Sequence, residues 1–270
     1  MKLTKDNYYS REANLHYMSV SQFKDFTPSF GGCEARAMAK LSGEYEQPSL
    51  TAFMEGHYVH SWNEGSLDEF KANNPDLYSS RGATAGQLKS NFQHCNKMIE
   101  VLENDPLVMK ALAGRKEVIM TAELFGIQWK IMIDSYQPEV GIFADLKALK
   151  EIDGKFWNKE AQVYENFIDH YGYNLQMAVY SEIEKRAIGR NNWLLPHMVV
   201  VTKQDPPDHE ILFFDFDAIE SGLAIVGKYI NRVVDVKSGK EEPIRCEKCE
   251  FCRETKKIKR IKHFAELALY

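Results

Sequence analysis

From Ile127 to Asp134 the chain alternates Ile127, Trp129, Ile131 and Ile133 with Gln128, Lys130, Met132 and Asp134. Successive side chains of a β-strand point to opposite faces, so this segment predicts a half-buried strand. Ser135 to Gly141, with Pro138 and Gly141, predicts the connection back. Ile142 to Leu149 then predicts a second strand, in which Asp145 and Lys147 share the face opposite Ile142, Ala144 and Leu146. Glu117 to Leu124 reads as a preceding strand joined through Phe125-Gly126. His197 to Lys203 and Glu210 to Phe216 read as two more, joined by the Gln204 to Asp208 turn.

Helical spacing governs the rest. Ser19 to Leu41 reads as partly helical, interrupted at Gly31-Gly32, and Leu50 to Glu64 as a second helix. In Gln87 to Leu102 the residues Leu88, Phe92, Cys95, Met98, Ile99 and Leu102 form an apolar stripe, which suits a core face. A long helix is expected from about Asn158 to Lys185 and a last one from Ala218 to Val236, with Asn73 to Gly86 as a loop. Strands flanked by helices predict an α/β fold built on a central sheet.

Composition adds a frame. The 270 residues are 44% hydrophobic, enough to bury a substantial core, and no run is long or apolar enough to span a bilayer. One domain, 1–270, with a cysteine-rich basic tail from about 244 is expected. The absence of an apolar N-terminal signal segment predicts a cytoplasmic, reducing setting. A formal net charge of −5 argues against a broad basic coat for nucleic acid, but is compatible with an acidic metal site beside a local basic channel.

The candidate chemistry lies on the first two predicted strands. A turn between them can bring Asp134 close to Asp145, and two carboxylates on rigid elements suit Mg²⁺ or Mn²⁺. Lys147 is then placed to orient an attacking water. As an isolated pattern, Asp-x-Lys reads better as strand-end charges in a surface salt bridge, since short charged patterns occur by chance. The order of further residues is what matters: Gly56-x3-His60 upstream, Asp134, Asp145-Leu146-Lys147, then Gln176-x3-Tyr180 downstream. Gly56 and His60, like Gln176 and Tyr180, stand four apart and so share a helix face.

This succession resembles the PD-(D/E)xK nuclease superfamily, in particular its RecB/RecE-like branch and within that the RecE-like (exodeoxyribonuclease VIII) nucleases of phages and prophages. The resemblance runs from Ser19-x-Ser21 to the cysteine-rich tail, on short motifs. It implies a mixed central sheet flanked by helices, restriction-endonuclease-like, and a metal-dependent deoxyribonuclease. The implied activity is 5′-to-3′ degradation of duplex DNA, leaving 3′ single strands for a recombination partner that anneals them, by a ring-shaped homo-oligomer enclosing the DNA. A single-strand exonuclease, an endonuclease or a non-catalytic nucleic-acid-binding metal-cluster protein are the alternatives. The resemblance assigns Asp134, Asp145, the Leu146 carbonyl and His60 to the metal site, Lys147 to the nucleophile and the phosphate, and Gln176 and Tyr180 to orienting the site or the DNA. Glu64 and Glu123 are further candidate carboxylates, for which surface charges on a helix or strand are the favoured roles.

Cys246-x2-Cys249-x2-Cys252 is a dense thiol cluster, and Cys33 is a candidate fourth ligand. It resembles the iron-sulfur nucleases of the AddB and CRISPR-associated types, although its last gap is shorter than theirs. A [4Fe-4S] cluster, Zn²⁺ and unligated thiols remain the three readings, the last fitting Cys95 and open to Cys33 as well. After the trio, Lys256, Lys257, Lys259, Arg260 and Lys262 can contact phosphates in a non-specific, salt-sensitive way, or form one solvated helix face.

Overall fold

The computed structural model describes residues 1–46, 51–158, 162–258, 260, 261 and 263–266. Helices α1 (Lys5–Tyr8), α2 (Arg11–His16), α3 (Val20–Phe26) and α4 (Glu34–Ser42) open the chain, followed by α5 (Thr51–Glu64), α6 (Leu67–Asn73), α7 (Ser90–Glu103) and α8 (Pro106–Ala111). Strands β1 (Arg115–Leu124), β2 (Ile127–Gln137) and β3 (Ile142–Leu149) come next, then β4 (Phe156–Asn158) and β5 (Val163–Glu165). The rest is α9 (Phe167–His170), α10 (Tyr173–Ile188), β6 (Leu195–Thr202), β7 (His209–Phe213), α11 (Phe216–Lys237) and α12 (Glu250–Glu254).

The main sheet has the order β1-β2-β3-β6-β7. It is mixed: β3 and β6 run parallel, and the other three neighbouring pairs are antiparallel. Parallel neighbours need a crossover rather than a hairpin, and the segment between β3 and β6 carries α10. The sheet is covered on both faces. Met198 and Val200 of β6 enter one core cluster with Trp129, Ile131 and Ile133 of β2 and with Leu175, Met177, Val179 and Ile183 of α10. Val199 and Val201 enter a second, with Ala144 and Leu146 of β3, Tyr58 of α5 and the α7 stripe Phe92, Cys95, Met98, Ile99 and Leu102. A strand buried on both sides is apolar throughout, which accounts for the Met-Val-Val-Val run in β6. Helix α11 lies against α10, where a Cβ at Gly222 would stand 2.5 Å from Ala178 Cβ. The close crossing therefore requires glycine.

Two expectations need correction. The helix predicted from Asn158 begins instead at Tyr173, and β4 and β5 form a separate antiparallel hairpin ahead of it. Lys130, expected on the solvent face of β2, is buried: its ammonium donates to Asn14 Oδ1 at 2.8 Å and to the Tyr8 carbonyl. The reason is α1 and α2, which cover that face, with Met18 bridging to β2 through Met18 N to Gln128 O and Lys130 N to Met18 O, both 2.8 Å.

Candidate active site

Strands β2 and β3 pair through Ser135↔Ala144, Tyr136↔Phe143 and Gln137↔Ile142, and then separate. Asp134 lies just past the last pair, and its Oδ2 accepts from the Leu146 amide at 2.8 Å, so the strand backbone fixes that carboxylate. On its other side β2 pairs with β1 through Lys116↔Ser135 and Val118↔Ile133, leaving Asp134 and Glu117 opposite each other in the gap. Glu117 has φ 49°, in the left-handed region where a non-glycine residue is strained. Ile133 and Tyr136, three apart, both enter the first core cluster, so the alternation of β2 slips here as well. Distorted ladders of this kind re-aim side chains beside functional sites.

A cleft of about 500 Å³ opens at this break, lined among others by His57, His60, Glu117, Asp134, Asp145, Lys147, Gln176 and Tyr180. Asp145 and Lys147 project from β3, with Lys147 Nζ 2.6 Å from Asp145 Oδ2. The other oxygen, Oδ1, accepts from Gln176 Nε2 of α10 at 2.7 Å. His60 of α5 stands with Nδ1 3.5 Å from Asp134 Oδ2. Lys24 of α3 closes one wall, donating to the Tyr171 carbonyl at 2.9 Å.

Burial sets the electrostatics. It pushes the Asp145 carboxyl above the usual carboxylate range, opposed by the Lys147 ammonium and reinforced by the Asp134 charge. For Lys147 burial works against the cation, but the facing Asp145 and Asp134 outweigh it and hold the ammonium above its ordinary value. For Lys24, burial and the Lys147 charge outweigh the Asp145 and Asp25 charges and bring it down to about 8. Burial also raises Tyr180 well above its ordinary value, so its hydroxyl stays neutral at physiological pH.

A family described as a PDDEXK-like domain of unknown function (DUF3799) matches residues 19–255. The chain belongs to this family. Among solved structures, a "putative exonuclease" from Eubacterium rectale is 40% identical and superposes with a TM-score of 0.91, over 99% of this chain and 98% of that one. A second, SSO0001, aligns over 90% of this chain and 88% of that one at 13% identity and a TM-score of 0.35. No curated protein matches the chain.

PDDEXK-like nucleases generally use divalent metals, and the residues of this chain fit one. Asp145 Oδ2 is buried at the cleft, with the Lys147 ammonium 2.6 Å away. Beside it are a second carboxylate and an imidazole, donors that suit Mg²⁺ or Mn²⁺. This acidic set is looser than the cysteine cluster. Among the described residues, the only group of three or more His, Cys, Asp or Glu ligand atoms all within 4.8 Å of one another is Cys33, Cys246, Cys249 and Cys252.

Of the residues expected at the site, His60, Asp134, Asp145, Lys147, Gln176 and Tyr180 line one cleft. The Leu146 side chain is buried in the second core cluster, and its amide holds Asp134. Glu123 is exposed on β1, and Glu64 pairs with Lys5. Glu117 is a cleft carboxylate that no motif pointed to. Lys5 Nζ lies 2.8 Å from it and also contacts Glu64. Burial opposes ionisation of both acids, and the hydrogen bond they share, with Lys5, leaves Glu64 low and Glu117 raised.

No described residue of the basic tail is among those lining the cleft. Lys256 and Lys257 are exposed and outside any helix, Arg260 pairs with Glu266 at 2.5 Å, and Lys259 and Lys262 lie outside the described residues. No helix among the described residues is long and apolar enough to cross a membrane.

Proposed function

We propose that this protein is a metal-dependent deoxyribonuclease of one domain that digests duplex DNA from the 5′ end. The observation that carries the reading is the Asp145 carboxylate, buried at the break in the sheet with Lys147 on one oxygen and Gln176 on the other. Both partners line the same cleft, so this buried charge is held at an opening large enough to admit a ligand instead of being sealed in the core. The family supports phosphodiester hydrolysis. The 5′ polarity and the 3′ single-stranded product, suited to an annealing partner, rest on the RecE-like order of motifs, and so does a ring-shaped assembly.

Asp134, Asp145, the Leu146 carbonyl and His60 would hold Mg²⁺ or Mn²⁺. When bound, the ion supplies Lewis-acid stabilisation of charge on the phosphate and the leaving oxygen. The chain's own groups do the rest. The Leu146 amide and Gln176 fix the two carboxylates, so that neither has to reorganise when substrate arrives. Lys147, kept protonated by Asp145 and Asp134, orients the attacking water and balances negative charge that builds on the scissile phosphate. Gln176 and Tyr180 position these groups and the strand, and Lys24 offers a second cation in the cleft lining.

The test is digestion of a linear duplex labelled separately at each 5′ and 3′ end, with Mg²⁺, Mn²⁺ or EDTA, beside Lys147→Ala. Metal-dependent release of the 5′ label that is absent from the variant is the expected result. Cleavage of closed circular DNA would shift the reading to an endonuclease, and no cleavage in either metal would refute it.

A further inference from the structure

Outside the cleft, the strongest convergence of reactive side chains joins the two ends of the chain. Cys33 precedes α4, whereas Cys246, Cys249 and Cys252 lie more than two hundred residues later, yet all four sulfurs fall within 4.8 Å of one another. Cys33 and Cys252 are fully buried, and the other two are half-buried. The Cys33 and Cys252 sulfurs are 3.6 Å apart, and those of Cys246 and Cys252 3.9 Å.

These separations discriminate between the groups that four thiols can hold. A disulfide needs sulfurs about 2 Å apart, and it would leave two of the four unused. Four thiolates around one zinc at about 2.3 Å form a tetrahedron whose edges are about 3.8 Å. In a [4Fe-4S] cubane each thiolate binds a different iron, which spreads the sulfurs to roughly 6 Å. The observed pairs match the zinc tetrahedron, and the 4.8 Å limit leaves no room for a cubane.

The surroundings agree. The Cys249 amide donates to Cys246 Sγ at 3.3 Å and the Cys252 amide to Cys249 Sγ at 3.5 Å, so the backbone already orients sulfur lone pairs as an outer shell does around a bound metal. Arg245 donates to the Cys252 carbonyl at 2.9 Å, placing a cation beside a site whose four thiolates and one Zn²⁺ sum to −2. At the other end of the chain, a Cβ at Gly32 would stand 2.4 Å from the Lys24 carbonyl oxygen, so only glycine brings Cys33 this close to α3. The Cys33 amide then donates to the Asp25 carbonyl at 2.8 Å. Glu34 fastens the same junction, binding Arg232 Nη2 at 2.6 Å and accepting from the Ile244 amide at 2.7 Å.

We infer that Cys33, Cys246, Cys249 and Cys252 bind one Zn²⁺ in a closed tetrahedral thiolate site, and that no iron-sulfur cluster forms there. With four protein ligands the ion has no open position, so it is structural. It ties the C-terminal segment to α3 and α4, which contribute Lys24, Asp25, Ala37, Lys40 and Leu41 to the cleft wall. The inference does not depend on the nuclease reading, because it concerns a different set of side chains.

The experiment is elemental analysis, acid-labile sulfide assay and visible spectroscopy on the full chain purified without oxygen, beside Asp134→Asn and Cys249→Ser. One zinc per chain is expected in the wild type and in Asp134→Asn, with neither iron nor sulfide, and its loss is expected in Cys249→Ser. Should Cys249→Ser fail to fold, replacement of the wild-type metal by Co²⁺ answers the same question: tetrahedral thiolate cobalt gives intense visible bands. A brown protein containing iron and labile sulfide would overturn the inference, and so would a metal-free protein whose four thiols react freely in the native state.

Discussion

Gln176 Nε2 donates to Asp145 Oδ1 at 2.7 Å, a bond that joins α10 to β3 at the centre of the cleft. It leaves the other carboxylate oxygen to Lys147 and to whatever else enters. Gln176 thus acts on the site by positioning Asp145. Replacing Gln176 with alanine frees the carboxylate to rotate, and loss of such outer partners typically lowers metal affinity or activity about 10- to 100-fold. For Gln176→Ala we expect a rise in the Mg²⁺ concentration giving half-maximal cleavage, partial recovery of rate at saturating metal, and an unchanged circular dichroism spectrum. A loss of rate that is independent of metal concentration would argue against the positioning role.

Glu117 couples backbone strain to the cleft. Its φ of 49° places a non-glycine residue in the left-handed region opposite Asp134, with Lys5 against its carboxylate. Strain of this kind costs about 1–2 kcal/mol and persists where the surroundings impose it. Glycine adopts the same backbone freely. Glu117→Gly should therefore retain or gain stability, by up to about 1 kcal/mol after loss of the Lys5 contact, while cleavage falls. Denaturant unfolding and rate measurements on one preparation check this, and a variant that loses stability and keeps full activity would contradict it.

The hairpin of β4 and β5 exposes aromatic surface. Trp157 is 49% and Tyr164 69% exposed, their ring centroids 5.1 Å apart. From Lys147, whose ammonium lies 5.5 Å from the Tyr173 ring centroid, rings lead through Tyr171 and Phe156 toward this hairpin. Aromatic faces stack on unpaired bases with about 1–3 kcal/mol each. Trp157→Ala is predicted to weaken binding of a duplex with a single-stranded overhang about tenfold, with a smaller effect on a blunt duplex, as read by fluorescence anisotropy. Equal weakening for both substrates would exclude stacking.

How much of this was legible in the sequence depended on how local the determinants are. The pairing of β2 with β3 was legible because Ile127 to Ile133 alternate and Pro138 with Gly141 stop the strand. The common cleft of His60, Asp134, Asp145, Lys147, Gln176 and Tyr180 was legible through motif order. The hairpin was missed because Trp157 and Tyr164 fit a helical apolar face as readily as a strand. Punctuation was nevertheless present: Asn166 caps α9, and Gly172, at φ 63°, directly precedes α10. Glu117 had no signal, since its role follows from a distorted cross-strand register. The burial of Lys130 was equally hidden, because it depends on α1 and α2, remote in sequence and too short to show a pattern.

Those N-terminal helices also set a pH dependence. Lys237 donates to the Asn14 and Tyr17 carbonyls at 2.9 and 2.8 Å and to Gln22 Oε1 at 2.7 Å, close to the buried Lys130. Burial lowers both ammonium groups to about 8, and for Lys237 the Lys130 charge adds to it. A lysine depressed in the folded state binds fewer protons there than in the unfolded chain between about pH 8 and its ordinary value of 10.5. Stability from this source therefore rises with pH across that window, because the unfolded chain must release the extra proton. Below pH 8 the two charges are a fixed burden. Discounted for partial exposure, Lys237 should contribute a gain of about 1 kcal/mol between pH 7.5 and 9.5. Denaturant unfolding at the two pH values, with Lys237→Met alongside, isolates it: the wild type should gain relative to the variant as pH rises. A difference between the two proteins that does not change with pH would mean that the three oxygen acceptors keep Lys237 charged throughout, with no proton lost on folding.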